Sequence, residues 1–272
     1  ALVAAITAAA GPHRVAPVRL LPRRIALADL PSPAEPAARG LPIGVDEEAL
    51  ALVQLDFTAE PHLVAFADAE SGKTTLLRVL ARGIVEQHPP EEARIVLVDH
   101  RRTLHGELPE SHLIGCTSTP AATAAAAEEV AAALRARLPG PEVSARELRE
   151  RSWWSGPEVY VLVDDYDLVA PSGTATHPLF PLVEFLPLAK DVGLHVVLTR
   201  RSGGAGRALY DPVLGRLREL GAPGLVMNGS RDEGALVEGV RPAAEPPGRG
   251  TLVDRRRGAR RIQLAWVPPG HA

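Results

Sequence analysis

Cysteine is almost missing from this chain: Cys116 is the single one among 272 residues. An internal disulfide and a cysteine-rich zinc site are therefore excluded, as expected for a reducing, cytoplasmic setting, and Cys116 itself reads as a small buried apolar residue. No apolar run approaches the roughly 20 residues that a membrane-crossing helix needs, and no basic stretch leads into a hydrophobic segment with a cleavage site. No membrane contact is expected of this piece. A basic excess is lacking too, since 30 Lys and Arg stand against 33 Asp and Glu for a net charge of -3. With aromatics at 4 %, there is also no basic stripe interleaved with aromatic residues. Nucleic acid is accordingly not an expected partner.

What is present in quantity is apolar residue, 46 % of the chain, enough to bury a large core in one big domain or two small ones. Residues 1–10 are alanine-rich with helical composition and stop at Gly11 and Pro12. Residues 17–42 are dense in proline, which favours extended backbone. Together 1–42 read as the tail of a preceding module and a linker, and 43–272 as the domain.

From there short apolar runs alternate with helical periodicity. Strands are expected at 62–66, 95–98, 113–116, 159–163, 194–199 and 224–227, with helices at 74–87, 120 to about 138, 178–190 and 207–220. Thr119 is the N-cap of the second helix and Pro120 its first residue. Continuous Val/Ile/Leu strands separated by helices indicate a mainly parallel sheet covered on both faces. Residues 250–267 read as a terminal β-hairpin around R-R-R-G-A-R-R.

The main chemical signal is F-A-D-A-E-S-G-K-T-T, running from Phe66 to Thr75 between a strand and a helix. Gly72, Lys73 and Thr74 match the end of the G-x-x-x-x-G-K-[ST] phosphate loop, and the strand-to-helix context is the one that motif requires. Backbone amides of Asp68, Ala69, Glu70, Ser71, Gly72 and Thr75 would face phosphate at a helix N-terminus. Lys73 would bridge the β- and γ-phosphates, and the Thr74 hydroxyl would ligate Mg²⁺. ATP and Mg²⁺ are the expected cofactors of what reads as a P-loop NTPase fold of RecA/FtsK-like type. V-Y-V-L-V-D-D then supplies Asp164 to hold the metal through water and Asp165 in the place of the usual catalytic glutamate, although Asp165 and Asp167 can also cap the next turn.

The loop departs from its pattern. Ala67 replaces its first glycine, and Glu70 brings a carboxylate where phosphates approach. Asp165 is one methylene shorter than glutamate, and displacing a base by ~1 Å lowers rates about a hundredfold. A site that holds nucleotide and hydrolyses it poorly is the expectation. Arg200 or Arg201, directly after a strand, can sense a γ-phosphate or simply be an exposed arginine. Arg249 in P-P-G-R-G stands where backbone can approach a base or ribose, and a proline-glycine turn explains that stretch about as well. The arginines of 255–261 read as a solvated hairpin, and Trp153 and Trp154 as a hydrophobic lid.

Long strings resemble the third ATPase module of EccC, the FtsK/SpoIIIE-type ATPase of type VII (ESX) secretion: D-A-E-S-G-K-T-T-L-L-R, V-D-H-R-R-T-L, H-L-I-G, R-S-W-W-S-G-P-E-V-Y-V-L-V-D-D-Y-D-L-V-A, E-F-L-P-L-A-K-D-V-G-L-H-V-V-L-T-R-R-S-G-G and P-P-G-R-G. The resemblance covers nearly the whole chain. It implies a cytoplasmic motor with several ATPase modules fused on one polypeptide, anchored in the membrane elsewhere and able to form homo-oligomers. It also implies that this module recognises the C-terminal export signal of WXG-type, EsxB-like substrates. Leu182, Val183, Phe185 and Leu186 are one candidate wall for it, and core packing against the sheet explains most of those residues at least as well. The alternatives are an autonomous ATP-hydrolysing motor of the FtsK DNA-translocase type and a small-molecule P-loop kinase; no acceptor-binding lid for the latter is evident.

Overall fold

The computed structural model describes residues 2, 3, 9, 19–33, 40–171 and 177–270, so the expected helix at 1–10 lies almost wholly outside the described residues. In chain order the first elements are β1 (Ile25–Ala26), β2 (Leu41–Asp46), β3 (Leu52–Leu55), β4 (His62–Phe66), α1 (Lys73–Gln87), β5 (Ala93–Asp99) and β6 (Leu113–Thr117). Then come α2 (Pro120–Arg135), α3 (Ala145–Glu150), β7 (Glu158–Asp164), α4 (Tyr166–Val169), α5 (Ala189–Val192) and β8 (Leu194–Arg200). The last are α6 (Ala205–Ala208), α7 (Pro212–Glu219), β9 (Gly224–Val226), β10 (Arg249–Asp254) and β11 (Gly258–Trp266).

Among the described residues the strands form one sheet, in the order β3-β2-β11-β10-β9-β4-β8-β7-β5-β6, with β1 beside β11. Every pair from β9 to β6 is parallel. From β9 outward to β3 the pairs are antiparallel. Every residue of β4 and β8 is buried, as strands covered on both faces must be. Leu76, Leu77, Leu80 and Ile84 of α1 pack on one face with Leu41 and Ile43 of β2. Val130, Ala131 and Leu134 of α2 pack on the other with Phe185, Leu214 and Leu217.

The chain leaves β4 toward β5 on one side, then returns through β7 and β8 to place β9 on the other side of β4. In open α/β sheets such a reversal opens a crevice at the carboxyl ends of the strands, where ligands bind. Phe66, Asp164 and Arg200 end β4, β7 and β8 at that crevice.

Proline redraws two expected helices. Residues 180–188 are a 3₁₀ segment continued by α5, because Pro181 and Pro187 have no amide to donate within it. Residues 207–220 are not one helix: α6 ends, and Asp211 caps a new start at Pro212, its carboxylate accepting from the Val213 and Leu214 amides at 2.9 and 3.1 Å. Helix α2 stops at Arg135. The β2–β3 hairpin and α3, opened by a Ser144/Glu147 capping box, are additional elements. Leu41 and Pro42, expected in the linker, open β2, and Leu21 is buried against the domain.

His62 opens β4 at the end far from the crevice. The Val196 amide donates to its Nδ1 at 3.2 Å, so its Nε2 carries the proton and donates to the Leu186 carbonyl at 3.1 Å. Burial pushes its pKa down to about 4. Below pH 6.5 the unfolded chain takes up a proton that the native ring refuses, so stability is full above that pH and falls as pH drops toward 4, by about 3 kcal/mol from this group. Chemical denaturation at pH 7 and 4.5 measures the loss. His62→Gln should flatten the slope by close to one proton, and an unchanged slope would refute the assignment.

Candidate phosphate-loop site

The loop hangs between two strand ends. The Ala67 amide donates to the Arg200 carbonyl at 3.0 Å, and the Asp68 amide to Asn228 at 2.9 Å. Ala67 is fully buried and is not among the residues with positive φ, so alanine fits the loop's first position without strain. The left-handed positions come later, at Glu70 (φ 58°) and Gly72 (φ 108°). The φ of Gly72 favours glycine there, and a Cβ would also sit tightly, 3.3 Å from the Gly248 nitrogen. That contact explains P-P-G-R-G: the Gly248 amide donates to the Ser71 carbonyl at 2.8 Å and buttresses the loop from the C-terminal hairpin.

Lys73, the first residue of α1, is 8 % exposed. Its ammonium donates to the carbonyls of Ala67 at 3.1 Å and Asp68 at 3.0 Å and pairs with Asp165 Oδ1 at 3.3 Å. Thr74 Oγ1 donates to Asp164 Oδ2 at 2.6 Å, and Thr199 Oγ1 donates to Asp164 Oδ1 at 2.6 Å. Asp164 is 2 % exposed. Burial pushes its carboxyl above the ordinary aspartate range, the two hydroxyls oppose this, and the nearby Asp165 and Asp99 carboxylates add to it.

Asp165 sits in a left-handed conformation, φ 46°, while its amide donates to Asp164 Oδ1 and Thr199 Oγ1. Its carboxylate is shared between two cations, Lys73 and Arg101, whose Nε approaches Oδ2 at 2.6 Å. Donor chemistry fits the expected cofactor: a glycine-bearing loop at the N-terminus of α1, an ammonium, and hydroxyl and carboxylate oxygens of the kind a hard cation such as Mg²⁺ takes.

Three of the expected residues are engaged within the protein. The Asp68 amide, expected to face phosphate, is taken by the Asn228 carbonyl. Arg200 and Arg249 line the clefts beside the loop but also have carbonyl partners of their own. Arg200 is buried and donates to the carbonyls of Arg201 at 2.7 Å and of Gly203 and Gly204 at 3.4 Å, so it ties its own loop. Arg201 is exposed and lines a cleft of about 710 Å³ shared with Lys73, Arg101, Asp165 and Arg207. Arg249 lines a second cleft of about 880 Å³ that also holds Gly72, Lys73, Thr74 and Thr75. Its Nη2 donates to the carbonyls of Leu21 at 3.0 Å and Pro22 at 2.8 Å, and its Nε to Gln263. Arg101, Thr199, Arg24 and Trp266 also reach the site and are not marked by the motif. Arg101 follows β5, which lies beside β7 with Asp99 opposite Asp164; that adjacency is invisible in chain order.

A phosphate loop on β4, facing a carboxylate at the end of a strand from which β8 separates it, defines a P-loop NTPase domain. No protein-family model matches the sequence. The ESX-4 secretion system protein EccC4 of Mycobacterium tuberculosis is 46% identical over 254 residues, which are 93% of this chain and 20% of that protein. The solved cytoplasmic domain of the Thermomonospora curvata type VII secretion ATPase EccC matches with TM-score 0.87 and 44% identity, covering 93% of this chain and 29% of that one. ATPases 2 and 3 of the same EccC, solved in complex with a signal sequence peptide, match with TM-score 0.87 and 43% identity over 95% of this chain and 46% of that one. The chain belongs to the EccC family of ESX secretion ATPases, and spans about a fifth of the length of the curated EccC relatives it matches, 19% and 20%.

Proposed function

We propose that this domain is a module of a type VII secretion motor that holds Mg-ATP, turns it over slowly, and receives the C-terminal export segment of a WXG-type substrate. The observation carrying the slow turnover is the Asp165 carboxylate, engaged by Lys73 at 3.3 Å and Arg101 at 2.6 Å. A carboxylate held by Lys73 and Arg101 is not free to turn toward an attacking water, and one methylene less than glutamate moves it from the water it would activate. Bound Mg-ATP supplies an electrophilic γ-phosphoryl group. Lys73 and the loop amides would bind its phosphates, and Thr74 and Asp164 would hold its metal. Nucleotide held in this way stabilises the fold by mass action. Substrate reception is supported by the signal sequence peptide bound to the T. curvata relative. The other ATPase modules of the same polypeptide would be its constant neighbours, in the cytoplasm.

The aliphatic wall considered for docking is not open. Leu182, Phe185 and Leu186 are buried, and Val183 packs against the same core. The decisive experiment measures ATP turnover of the purified domain with and without duplex DNA, together with retention of a full-length substrate and of one lacking its C-terminal tail. Near-background turnover and loss of the tailless substrate are expected. Rapid turnover that Asp165→Asn abolishes would favour an autonomous motor, and equal retention of the two substrates would remove the receptor role.

Glu70 makes a separate prediction. It is exposed at the cleft mouth in a left-handed conformation. Glu70→Gly should relieve about 1 kcal/mol of backbone strain, raising the melting temperature by roughly 2–4 °C. It should also tighten ATP binding roughly tenfold at low salt and less at high salt. Calorimetry at two ionic strengths decides, and weaker binding would show that the carboxylate helps.

A further inference from the structure

The cleft of about 880 Å³ runs well past the phosphate loop, and its volume is that of a complete small-molecule site. Besides the loop it is lined by residues distant in sequence, Arg23 and Arg24 together with Leu264 and Trp266. The Arg24 guanidinium lies over the Trp266 ring, its carbon 3.3 Å from the ring centroid. Arg24 is exposed and lines the cleft, so its guanidinium is within reach of a ligand bound there.

The backbone beneath Arg24 is fixed on both sides. Arg249 holds the carbonyls of Leu21 and Pro22 before it. After it, β1 pairs with β11, Ile25 opposite Ala265 and Ala26 opposite Trp266. The segment is a strap along the cleft, tied down by Arg249 and by β11.

We propose that Arg24, backed by Trp266, is the base-binding subsite of this cleft and stacks a purine on its guanidinium plane, so that the strap and the nucleotide hold each other in place. The proposal rests on the nucleotide reading above and adds where the base is recognised. A planar cation stiffened by an indole is a stacking platform that a lysine cannot imitate, and a purine offers it more surface than a pyrimidine. Stacking of this kind is worth roughly tenfold to a hundredfold in affinity per base. Because strap docking and base stacking share Arg24, each must favour the other by the same factor.

The test is calorimetric titration of the domain with ATP, CTP and inorganic tripolyphosphate, repeated on Arg24→Lys and Arg24→Ala. In the parent, ATP should bind at least tenfold tighter than tripolyphosphate, and tighter than CTP. Arg24→Lys keeps the charge and loses the plane, so the ATP advantage should shrink about tenfold while tripolyphosphate affinity is unchanged. Arg24→Ala should weaken both ligands, ATP more, and should expose the strap to proteolysis in the presence of ATP. Equal affinity of the parent for ATP and tripolyphosphate, or an undiminished ATP advantage in Arg24→Lys, overturns the subsite and leaves the phosphate loop standing. If the parent binds neither ATP nor tripolyphosphate, the nucleotide reading falls and the subsite with it.

Discussion

Asp164→Asn should weaken Mg²⁺-dependent nucleotide binding and yet make the ligand-free domain more stable. Asp164 is buried, its carboxyl is pushed above the ordinary aspartate range by burial, and Asp165 and Asp99 add negative charge beside it. A carboxyl whose native pKa is raised contributes stability that is present below its unfolded pKa and lost as pH rises through the native one. At neutral pH the domain therefore carries the charged form at a disadvantage. Asparagine is the neutral isostere. Its oxygen can keep the Thr199 hydroxyl and the Asp165 amide, and the Thr74 hydroxyl can rotate to accept from the new NH₂ group. Lacking the charge, it should lower metal-dependent affinity roughly 10- to 100-fold. Thermal melts in EDTA beside calorimetry with Mg-ATP give both quantities. A lower melting temperature for the variant would mean that Asp164 is a net stabiliser, and the reading of its charge as strain would be wrong.

Lys73→Ala should weaken binding as well, but with the opposite effect on stability. The ammonium satisfies two main-chain carbonyls and one side of Asp165 from a nearly buried position. Removing it strands those acceptors, at about 1–3 kcal/mol for a buried unpaired group, so the ligand-free domain should melt earlier. Phosphate binding should fall by about a hundredfold, the magnitude of one or two charge-assisted hydrogen bonds. Calorimetry and melting of the two variants side by side make the contrast: both lose affinity for ATP, one gains stability and the other loses it. ATP bound by Lys73→Ala as tightly as by the parent would move the nucleotide away from this loop.

Local rules carried much of this site. G-K-T between an apolar run and an amphipathic helix places Lys73 and Thr74 without tertiary knowledge, and V-Y-V-L-V-D-D places Asp164 at a strand end. What local rules missed depends on the order of strands. Arg101 reaches Asp165 because β5 lies next to β7, and Arg24 meets Trp266 because β1 pairs with β11. Neither neighbour relation leaves a mark on periodicity. Ala67 takes the place of a glycine without backbone strain, because glycine is needed where φ is positive, and here that falls on Glu70 and Gly72. Proline explains the redrawn helix at 178–190, since an apolar spacing that reads as helix cannot override the missing amide donor at Pro187.

The placement of β4 has a kinetic consequence. Both of its neighbours come much later in the chain: His62 pairs opposite Val196, 134 residues on, and Val64 opposite Gly224. Closing such loops before any pairing rewards them is slow, and parallel strands with distant partners are assembled late. A ribosome that has delivered the whole phosphate-loop motif has therefore delivered no site, because the strand beneath the loop has nothing to lie against until β8 and β9 emerge. Until then β4 is an apolar segment with two open edges, the part of the nascent domain most exposed to wrong pairing and most dependent on prompt completion of the chain.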